Sequence, residues 1–375
     1  MKKPVLHNAF CDLLGIEYPI MLAGMGVFGR ATPPKLVAAV SKAGGLGVMG
    51  CSGLSPEETR RRIREVRSLT DKPFGVDMLL PAKISESAPT RSGVQEQLRQ
   101  RYPEHVAFVK GLIKKFGLTE VEFGNEIVIN NEYARSVLDV VVEEKVPVFA
   151  AGLGDPGMII PEGHAQGMKI FGLSGSVRNA VRQKKSGVDG VIAQGTEAGG
   201  HTGKIAAFPL IPQVVDAVSP TPVIAAGGIA DGRGVAAALS LGAQAAWIGT
   251  AFLVAEESAI FDANQAQILE GDSESFQVSR IWTGKTVRTF YGDVSKAWDE
   301  SGLVPLDAPY QRILMEDFIA AAEKAGRYDL TLNAAGQIGG MLKKRRPAAQ
   351  IMEELVEGAV ENIRRLQSNI TVSLS

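Results

Sequence analysis

A histidine in a glycine-rich stretch is the first candidate for chemistry in this sequence. His201 lies in IAQGTEAGGHTG, residues 192–203, and is one of four histidines in the chain. Because imidazole gains or loses a proton near neutral pH, a histidine beside a ligand can act as a general base or as a hydrogen-bond donor. Gly199 and Gly200 let the backbone approach such a ligand closely. Glu197 either orients His201 or caps the loop.

A second candidate site lies where two apolar runs end in glycine. The stretches PVIAAGGIADGRG and AAWIGTAF place Gly227-Gly228 and Gly249-Thr250 directly after such runs. Backbone N–H groups at glycines, with the Thr250 hydroxyl as a further donor, are typical of a phosphate site. A tight loop without a ligand is the alternative interpretation of the glycine pair. The chain shows no GxGxxG after the first strand and no GxxxxGK[ST], which argues against a Rossmann dinucleotide site and a P-loop.

Other kinds of catalytic centre are poorly supported. No GxSxG elbow precedes a helix, and Ser174 in GLSGS suits a hydrogen-bond donor to a cofactor ring better than a nucleophile. No pair of carboxylates suggests glycoside hydrolysis. The two cysteines, Cys11 and Cys51, form no CxxC and adjoin no histidine cluster, so we expect no metal site. We expect them to be reduced, with a disulfide between them as the less favoured alternative.

The elements that must position these residues alternate regularly along the first two-thirds of the chain. Short apolar runs, typical of parallel strands buried on both faces, alternate with amphipathic helical patterns. Eight such runs predict an α/β fold of the (β/α)8 TIM-barrel type, with a doubly wound sheet as the alternative. The predicted strands are 19–24, 46–50, 74–79, 147–152, 169–173, 190–194, 222–227 and 245–249. The predicted helices are 34–43, 56–69, 132–144, 156–166, 176–186, 209–217, 232–241 and 347–366.

Two stretches interrupt this alternation. Residues 81–131 form a polar insertion after the third strand, predicted to be partly helical, and residues 255–335 follow the eighth strand. An insertion after the eighth strand lies above the C-terminal face of a barrel and can cover a site as a lid. We therefore predict a barrel from 1–254 and 336–375, with a smaller lid or substrate subdomain from 255–335.

The predicted barrel brings the unusual residues to one face. Side chains at the carboxyl ends of barrel strands form the active site in enzymes of this fold. This convergence supports a functional site more strongly than any single glycine pair does. The residues at these strand ends and in the loops after them are Ala23, Gly24, Met25, Asp77, Gln194, Gly199, Gly200, His201, Gly227, Gly228, Gly249 and Thr250.

Composition and charge restrict the partners. The chain of 375 residues has 45% apolar and 22% charged residues, as is typical of a soluble globular protein. Its formal net charge of −1 provides no overall positive field that would attract nucleic acid. No apolar run is long enough to span a bilayer, and the first residues lack the apolar core of a signal peptide, so we expect no membrane partner and a cytoplasmic location.

Several stretches resemble the nitronate monooxygenase family, formerly called 2-nitropropane dioxygenases. These are FMN-dependent TIM-barrel enzymes, and their superfamily includes the flavin-dependent enoyl-acyl-carrier-protein reductase. The insertions are less similar and would shape the choice of substrate. The similar stretches are PIMLAGMG, AGGLGVMG, FGVDMLLP, GVDGVIAQGTEAGGHTG, PVIAAGGIADGRGVAAALSLGA, WIGTAFL and, more loosely, NAAGQIGGM.

The resemblance implies bound FMN and assigns roles to the candidate residues. His201 matches the catalytic histidine of the family. Asp77 stands where the family commonly has Asn in GVN, and an aspartate near the flavin would either add a negative charge or hold a proton. The resemblance places the FMN phosphate on Gly227, Gly228, Gly249 and Thr250, the flavin against Ala23, Gly24, Met25, Gln194, Gly199 and Gly200, and Gln337 near the flavin or its phosphate.

Two activities follow from the resemblance. The first is oxidation of alkyl nitronates with O2 to a carbonyl compound and nitrite, in which His201 binds the nitronate or deprotonates a neutral nitroalkane. The second is an NAD(P)H-dependent flavin reductase acting on enoyl thioesters or quinones. A non-catalytic flavin-binding protein is disfavoured because His201 and the glycine pairs are present. The sequence leaves monomer and homodimer both open.

Overall fold

Eight parallel strands form the centre of the fold. The structure is a computed structural model and describes residues 5–26, 30–80, 90–123 and 130–369. Three further short strands form a separate antiparallel sheet. The barrel strands are β1 (Ile20–Leu22), β2 (Gly47–Gly50), β3 (Phe74–Leu79), β4 (Val148–Leu153), β5 (Lys169–Ser174), β6 (Gly190–Gln194), β8 (Val223–Ala226) and β9 (Ala245–Ile248), and the small sheet consists of β7 (Gly200–His201), β10 (Phe276–Ser279) and β11 (Val287–Phe290).

The two ends of the eight-stranded sheet meet. The strands lie in the order β1-β9-β8-β6-β5-β4-β3-β2, with every neighbouring pair parallel. Between β1 and β2, the Leu22 N–H donates to the Leu46 carbonyl at 2.9 Å, and the Leu46 N–H donates to the Ile20 carbonyl at 2.9 Å. These bonds bring the sheet round into a barrel, and the predicted α/β TIM barrel is confirmed.

Helices surround the barrel. The helix predicted over 56–69 is present with these ends, and the helices predicted over 34–43, 132–144, 176–186, 232–241 and 347–366 are present with ends shifted by up to three residues. None of the described helices is both long and apolar enough to cross a membrane. The helices are α1 (Ala9–Leu14), α2 (Pro34–Lys42), α3 (Pro56–Leu69), α4 (Arg91–Arg101), α5 (Pro103–Lys115), α6 (Asn131–Glu143), α7 (Ile160–Ala165), α8 (Val177–Ser186), α9 (Ala207–Val218), α10 (Gly232–Ser240), α11 (Thr250–Leu253), α12 (Asp262–Glu270), α13 (Asp293–Ser301), α14 (Tyr310–Lys324) and α15 (Ala348–Asn369).

Two helix predictions need correction. The segment 156–166 is not one helix, because a 3₁₀ turn at Pro156–Met158 precedes the short α7. Pro161 has no N–H to continue a helix from that turn, so a new helix begins just before it. The helix predicted over 209–217 begins two residues earlier, at Ala207, where α9 starts.

The packing of Val76 and Met78 shows which way the side chain between them on β3 points. Val76 and Met78 belong to the apolar layer between the barrel and its helices. Since side chains alternate along a strand, Asp77 between them points into the barrel. The interior below it is filled by an inner apolar core that includes Val48, Val148 and Phe171. Asp77 is therefore a carboxyl group at the C-terminal mouth of the barrel interior.

The two insertions share an apolar core of their own. Val94 and Leu112 from the first insertion pack with Trp298, Met315 and Phe318 from the second. Helices α4 and α5 thus lie against α14, so both insertions belong to one layer beside the barrel. Residues 81–89 and 124–129 of the first insertion lie outside the described residues. The division into a barrel and a 255–335 subdomain stays a prediction.

Candidate active site

Gly24 is glycine because Asp77 occupies the space beside it. A β-carbon added at Gly24 would lie 2.1 Å from Asp77 Cβ and 3.3 Å from a methyl of Val48. On the other side, a β-carbon at Gly152 would lie 2.7 Å from Asp77 Oδ1. Two glycines, one in the loop after β1 and one on β4, therefore make room for one carboxyl group, which explains why this loop contains Gly24.

The Asp77 carboxyl group has no polar partner in the protein. It is 5% exposed, and it makes no hydrogen bond or ion pair with any other described residue. Burial raises the pKa of this carboxyl group well above its usual range. A buried charge without a partner costs several kcal/mol, so the neutral acid is the favoured form.

The loop after β1 is held by a threonine that the sequence reasoning missed. The Thr32 hydroxyl accepts from the Met25 N–H at 3.3 Å and from the Gly50 N–H at 2.8 Å, and it donates to the Met25 carbonyl at 3.2 Å. Thr32 is fully buried. The Met25 side chain reaches the residue after β9, Gly249, where an added β-carbon would lie 3.0 Å from the Met25 sulfur. Thr32 stands directly before Pro33-Pro34 at a helix start, which was the local signal for it.

The glycine pair after β8 has the backbone of an anion site. Gly227 and Gly228 have φ values of 96° and 68°, in the left-handed region that favours glycine. Their N–H groups, and that of Thr250, donate no hydrogen bond to another described residue. Consecutive N–H groups in such a turn form a concave site for anions. These N–H groups are therefore available to an anion, and a tight loop in which water accepts from them remains the alternative interpretation.

Glu197 caps a helix, which decides between the two roles that the sequence left open. Both of its carboxylate oxygens accept from the Ala207 N–H, at 3.1 Å each, at the start of α9. A carboxylate in this position is stabilised by the helix dipole. Glu197 makes no hydrogen bond to His201 among the described residues. The Glu197 side chain also lies against Gly195 and Gly228. Added β-carbons at these glycines would lie 2.3 Å from Glu197 Oε2 and 3.1 Å from Glu197 Cγ.

The segment that precedes α15 closes onto the loop after β6. The Gly336 N–H donates to the Thr250 hydroxyl at 3.0 Å, and the Gln337 N–H donates to the Glu197 carbonyl at 3.0 Å. A β-carbon at Gly199 would lie 2.5 Å from the Ala335 carbonyl carbon. Gly199 therefore permits contact with this segment, and Gln337 is held beside the loop by its backbone while its side chain is exposed.

His201 lies on a strand and not on an open loop as predicted. Gly200–His201 pairs with Val287 and Arg288 of β11, although two residues are too few to show a strand period in the sequence. The Gln194 side-chain amide donates to the His201 carbonyl at 2.8 Å. The imidazole Nε2 forms a hydrogen bond of 3.2 Å with the Thr283 hydroxyl, and Nδ1 has no partner among the described residues.

The charge state of His201 is set by its surroundings. Burial, and to a smaller extent the positive charges of Lys285 and Arg312, lower the pKa of the imidazole to about 4. His201 is therefore neutral near pH 7. Both cations belong to the 255–335 insertion, so this insertion supplies the positive potential around the histidine.

Arg288 is a second residue that the sequence reasoning missed. It is 7% exposed, and its guanidinium donates to the Thr196 carbonyl at 3.0 Å and to the Phe276 carbonyl at 2.5 Å. These bonds tie the loop between β6 and β7 to the small sheet. A single arginine in the strand VRTF gives no local signal of this role, because its partners lie 92 and 12 residues away.

The remaining histidines and the cysteines lie apart from this site. His7 pairs with Asp12 at 2.9 Å and His164 with Asp189 at 2.9 Å, while His105 bonds the Val304 carbonyl at 3.0 Å. Cys11 and Cys51 are both buried and free. Within residues 5–26, 30–80, 90–123 and 130–369, no three His, Cys, Asp or Glu side chains lie close enough together to hold a metal.

The sequence matches a known family along most of its length. The profile of the nitronate monooxygenase family matches residues 7–358. A probable nitronate monooxygenase of Staphylococcus aureus is 32% identical over 361 residues, which are 93% of this chain and 96% of that protein.

Two solved structures are similar over nearly the whole chain. One is a nitroalkane oxidase from Streptomyces ansochromogenes, with a TM-score of 0.80 and 28% sequence identity. The match covers 96% of this chain and 100% of the oxidase chain. The other is FabK from Thermotoga maritima, an enoyl-acyl-carrier-protein reductase, with a TM-score of 0.76 and 31% sequence identity. The match covers 97% of this chain and 100% of the FabK chain.

Proposed function

Since the chain belongs to the nitronate monooxygenase family and is an oxidoreductase, we propose that it oxidises alkyl nitronates with O2 to a carbonyl compound and nitrite. In this reaction a C=O bond replaces the carbon–nitrogen bond of the nitronate, and the nitrogen leaves as nitrite. The similarity to a nitroalkane oxidase supports a nitro compound as the substrate class.

The residues at the barrel mouth suit FMN as the cofactor. The unused N–H groups of Gly227, Gly228 and Thr250 form an anion site that fits its phosphate. The unpartnered carboxyl group of Asp77 and the adjoining Gly24 and Met25 line the barrel mouth, where the ring would bind. When bound, FMN supplies the electron transfer between substrate and O2. The other positions that the resemblance assigns to the cofactor belong to this proposal as well; they are Ala23, Gln194, Gly199, Gly200, Gly249 and Gln337.

The observation that carries the proposal is a neutral His201 in a positive field. An anionic nitronate is attracted by Lys285 and Arg312, and a neutral imidazole adds no charge of its own. The Thr283 hydroxyl has one proton and lies 3.2 Å from both the Lys285 carbonyl and Nε2 of His201. We propose that this proton is donated to Nε2, which places the ring proton on Nδ1. The Nδ1–H is then the donor that His201 offers to a nitronate oxygen.

The same observation separates nitronates from neutral nitroalkanes. A general base works best when its pKa lies near the operating pH. With its pKa lowered to about 4, His201 is a weak base near pH 7 and is poorly suited to remove a proton from a nitroalkane. We therefore propose that the substrate binds as the preformed nitronate, and that His201 binds and orients it.

The test compares the two forms of one compound. The FMN-loaded protein is mixed in air with a preformed alkyl nitronate or with the same concentration of its nitroalkane, before the two interconvert. O2 uptake and nitrite release are expected with the nitronate and to be much slower with the nitroalkane. Equal initial rates with both forms, or no nitrite from either, would contradict the proposal.

A matched pair of variants tests His201 itself. His201→Gln should bind FMN and lose about 10- to 100-fold in kcat/KM, since a hydrogen bond to a charged group contributes about 1.5–3 kcal/mol. His164→Gln removes a histidine paired with Asp189 on an outer helix and should leave turnover unchanged. A His201→Gln variant with full activity would overturn the role given to His201.

A flavin reductase using NAD(P)H is the second candidate. The observation that favours it is the similarity to FabK at 31% identity along 97% of this chain. The cations that attract a nitronate, Lys285 and Arg312, would equally attract a nucleotide phosphate. Enoyl thioesters or quinones would then be the substrates, and reduction of the bound flavin by NADH or NADPH without O2 distinguishes this candidate from the first.

A further inference from the structure

We infer that Asp77 is a neutral carboxylic acid that donates a hydrogen bond to the cofactor ring. This inference rests on the proposed function, because it takes FMN to be the group bound at the barrel mouth. It decides between the two alternatives that the sequence left open for an aspartate at this position, an added negative charge or a held proton.

The first step is the position of the carboxyl group. Asp77 ends β3 and points into the barrel, between Gly24 on one side and Gly152 on the other. Added β-carbons at these glycines would approach its Cβ and Oδ1 to 2.1 Å and 2.7 Å. The carboxyl group is therefore confined between two residues that have no side chains.

The second step is the absence of a counter-charge among the described residues. In the parallel ladder, Asp77 pairs with Gly50 of β2 and Ala150 of β4, neither of which carries a charge. An ionisable group close to it is the Cys51 thiol, whose own burial raises its pKa and so keeps it uncharged as well. Arg62 acts on Cys51, but neither it nor any other cation offsets the burial of Asp77.

The third step is the chemistry of a neutral acid in this position. A protonated carboxyl group has one O–H donor and an acceptor oxygen, which is the same pairing that an asparagine amide offers. A flavin ring edge carries carbonyl oxygens and unprotonated nitrogens that accept hydrogen bonds. Asp77 can thus take the place of an amide donor while its proton is held, and it loses this capacity when it ionises.

The inference is tested first without flavin. The infrared spectrum of the wild-type protein at neutral pH should contain the carbonyl stretch of a protonated carboxyl group, and this band should be missing from Asp77→Asn. Asparagine has nearly the same shape and no charge, so the variant keeps the packing against the two glycines. Carboxylate bands in place of the carbonyl band would overturn the inference, whatever the fate of the proposed function.

The second test is FMN affinity as a function of pH. The wild type and Asp77→Asn should differ by less than about threefold near pH 7, because both offer a donor. Above the pKa of Asp77, wild-type affinity should fall by up to about tenfold per pH unit, while Asp77→Asn shows no such fall. Asp77→Ala, without a donor, should bind FMN about tenfold more weakly than the wild type near neutral pH.

Each contrary outcome has its own meaning. Asp77→Asn binding more than tenfold tighter at pH 7 would show that Asp77 is already ionised, and this would overturn the inference. If Asp77→Ala binds FMN as tightly as the wild type, Asp77 donates no hydrogen bond to the cofactor and the inference is wrong. A wild-type protein that binds no FMN would refute both the donation and the proposed cofactor, while the infrared band would still decide whether the proton is held.

Discussion

The imidazole Nε2 of His201 lies 3.2 Å from the hydroxyl oxygen of Thr283. The two residues are 82 positions apart, one on β7 beside the barrel mouth and the other in the 255–335 insertion. The same threonine oxygen accepts from the Lys285 N–H at 3.2 Å. The insertion therefore holds the histidine ring by a hydrogen bond and places the backbone of Lys285 beside it.

Thr283→Val should lower activity by removing this hydrogen bond. Valine keeps the shape of threonine but neither holds Nε2 nor selects the tautomer with a proton on Nδ1. A neutral hydrogen bond contributes about 0.5–1.5 kcal/mol, so we expect kcat/KM to fall by about two- to tenfold while FMN affinity is unchanged. Thr283→Ser keeps the hydroxyl and should retain most of the activity. Equal loss in both variants would point to packing and not to the hydroxyl.

Acidification should destabilise the wild type through His201. The pKa of His201 is lowered to about 4 in the folded protein, whereas the unfolded chain takes up this proton below about 6.5. As pH falls from 6.5 to 4, the unfolded state binds more protons, and the free energy of unfolding drops by up to about 1.4 kcal/mol per pH unit. Urea unfolding of the wild type and His201→Gln should therefore give curves that diverge across this window. Parallel curves would show that the histidine is not held neutral by the fold.

Lys285→Gln should weaken binding of an anionic substrate. Lys285 is exposed and its charge is screened, so the effect is expected to be modest, at about two- to fivefold in KM. Rising salt concentration should increase KM less in this variant than in the wild type. Lys42→Gln removes an exposed lysine from the last turn of α2, at the opposite face of the barrel, and serves as the control. An unchanged salt dependence in Lys285→Gln would contradict the role of the positive field.

Gly24→Ala should disturb the site through Asp77. The new methyl group would lie 2.1 Å from Asp77 Cβ, so the loop after β1 or the carboxyl group must move. We expect a loss of about 1–3 kcal/mol in the free energy of unfolding and weaker FMN binding. Gly111→Ala makes the same change on the exposed side of α5, where nothing lies within 4 Å, and should stabilise by about 0.5–1 kcal/mol.

Glu197→Ala should affect stability more than catalysis. It removes the carboxylate that accepts from the Ala207 N–H at the start of α9, a cap that contributes about 1 kcal/mol. Glu197→Gln keeps an acceptor oxygen and should lose less. Denaturant unfolding measures this, and the pH dependence of kcat should be the same in both variants. A shift of that pH profile would contradict this and would support the alternative role, in which Glu197 orients His201.

The barrel was predictable because its strands are buried on both faces. The runs at 190–194 and 222–227, for example, are apolar up to their last residues, Gln194 and Gly227, which are candidate residues of the mouth. What the sequence did not show depends on contacts between distant residues. The pairing of β7 with β11, the bonds of Arg288 and the insertion core shared by Val94 and Trp298 have no local period or motif.

The glycines of the candidate site also show what could and could not be predicted from the sequence. Gly227 and Gly228 have the backbone geometry that the phosphate interpretation requires. Gly24, Gly199 and Gly249 instead make room for Asp77, Ala335 and Met25. The sequence indicated where the backbone needs space, but only the structure shows what occupies it.

The most direct measurement is the visible spectrum of the FMN-loaded protein mixed without O2 with an alkyl nitronate or with NADH or NADPH. We expect the flavin absorbance to fade with the nitronate and to stay constant with either nucleotide. Admitting air should then restore the band and release nitrite. Fading with a nucleotide and none with the nitronate would contradict the proposed function and identify the chain as a flavin reductase.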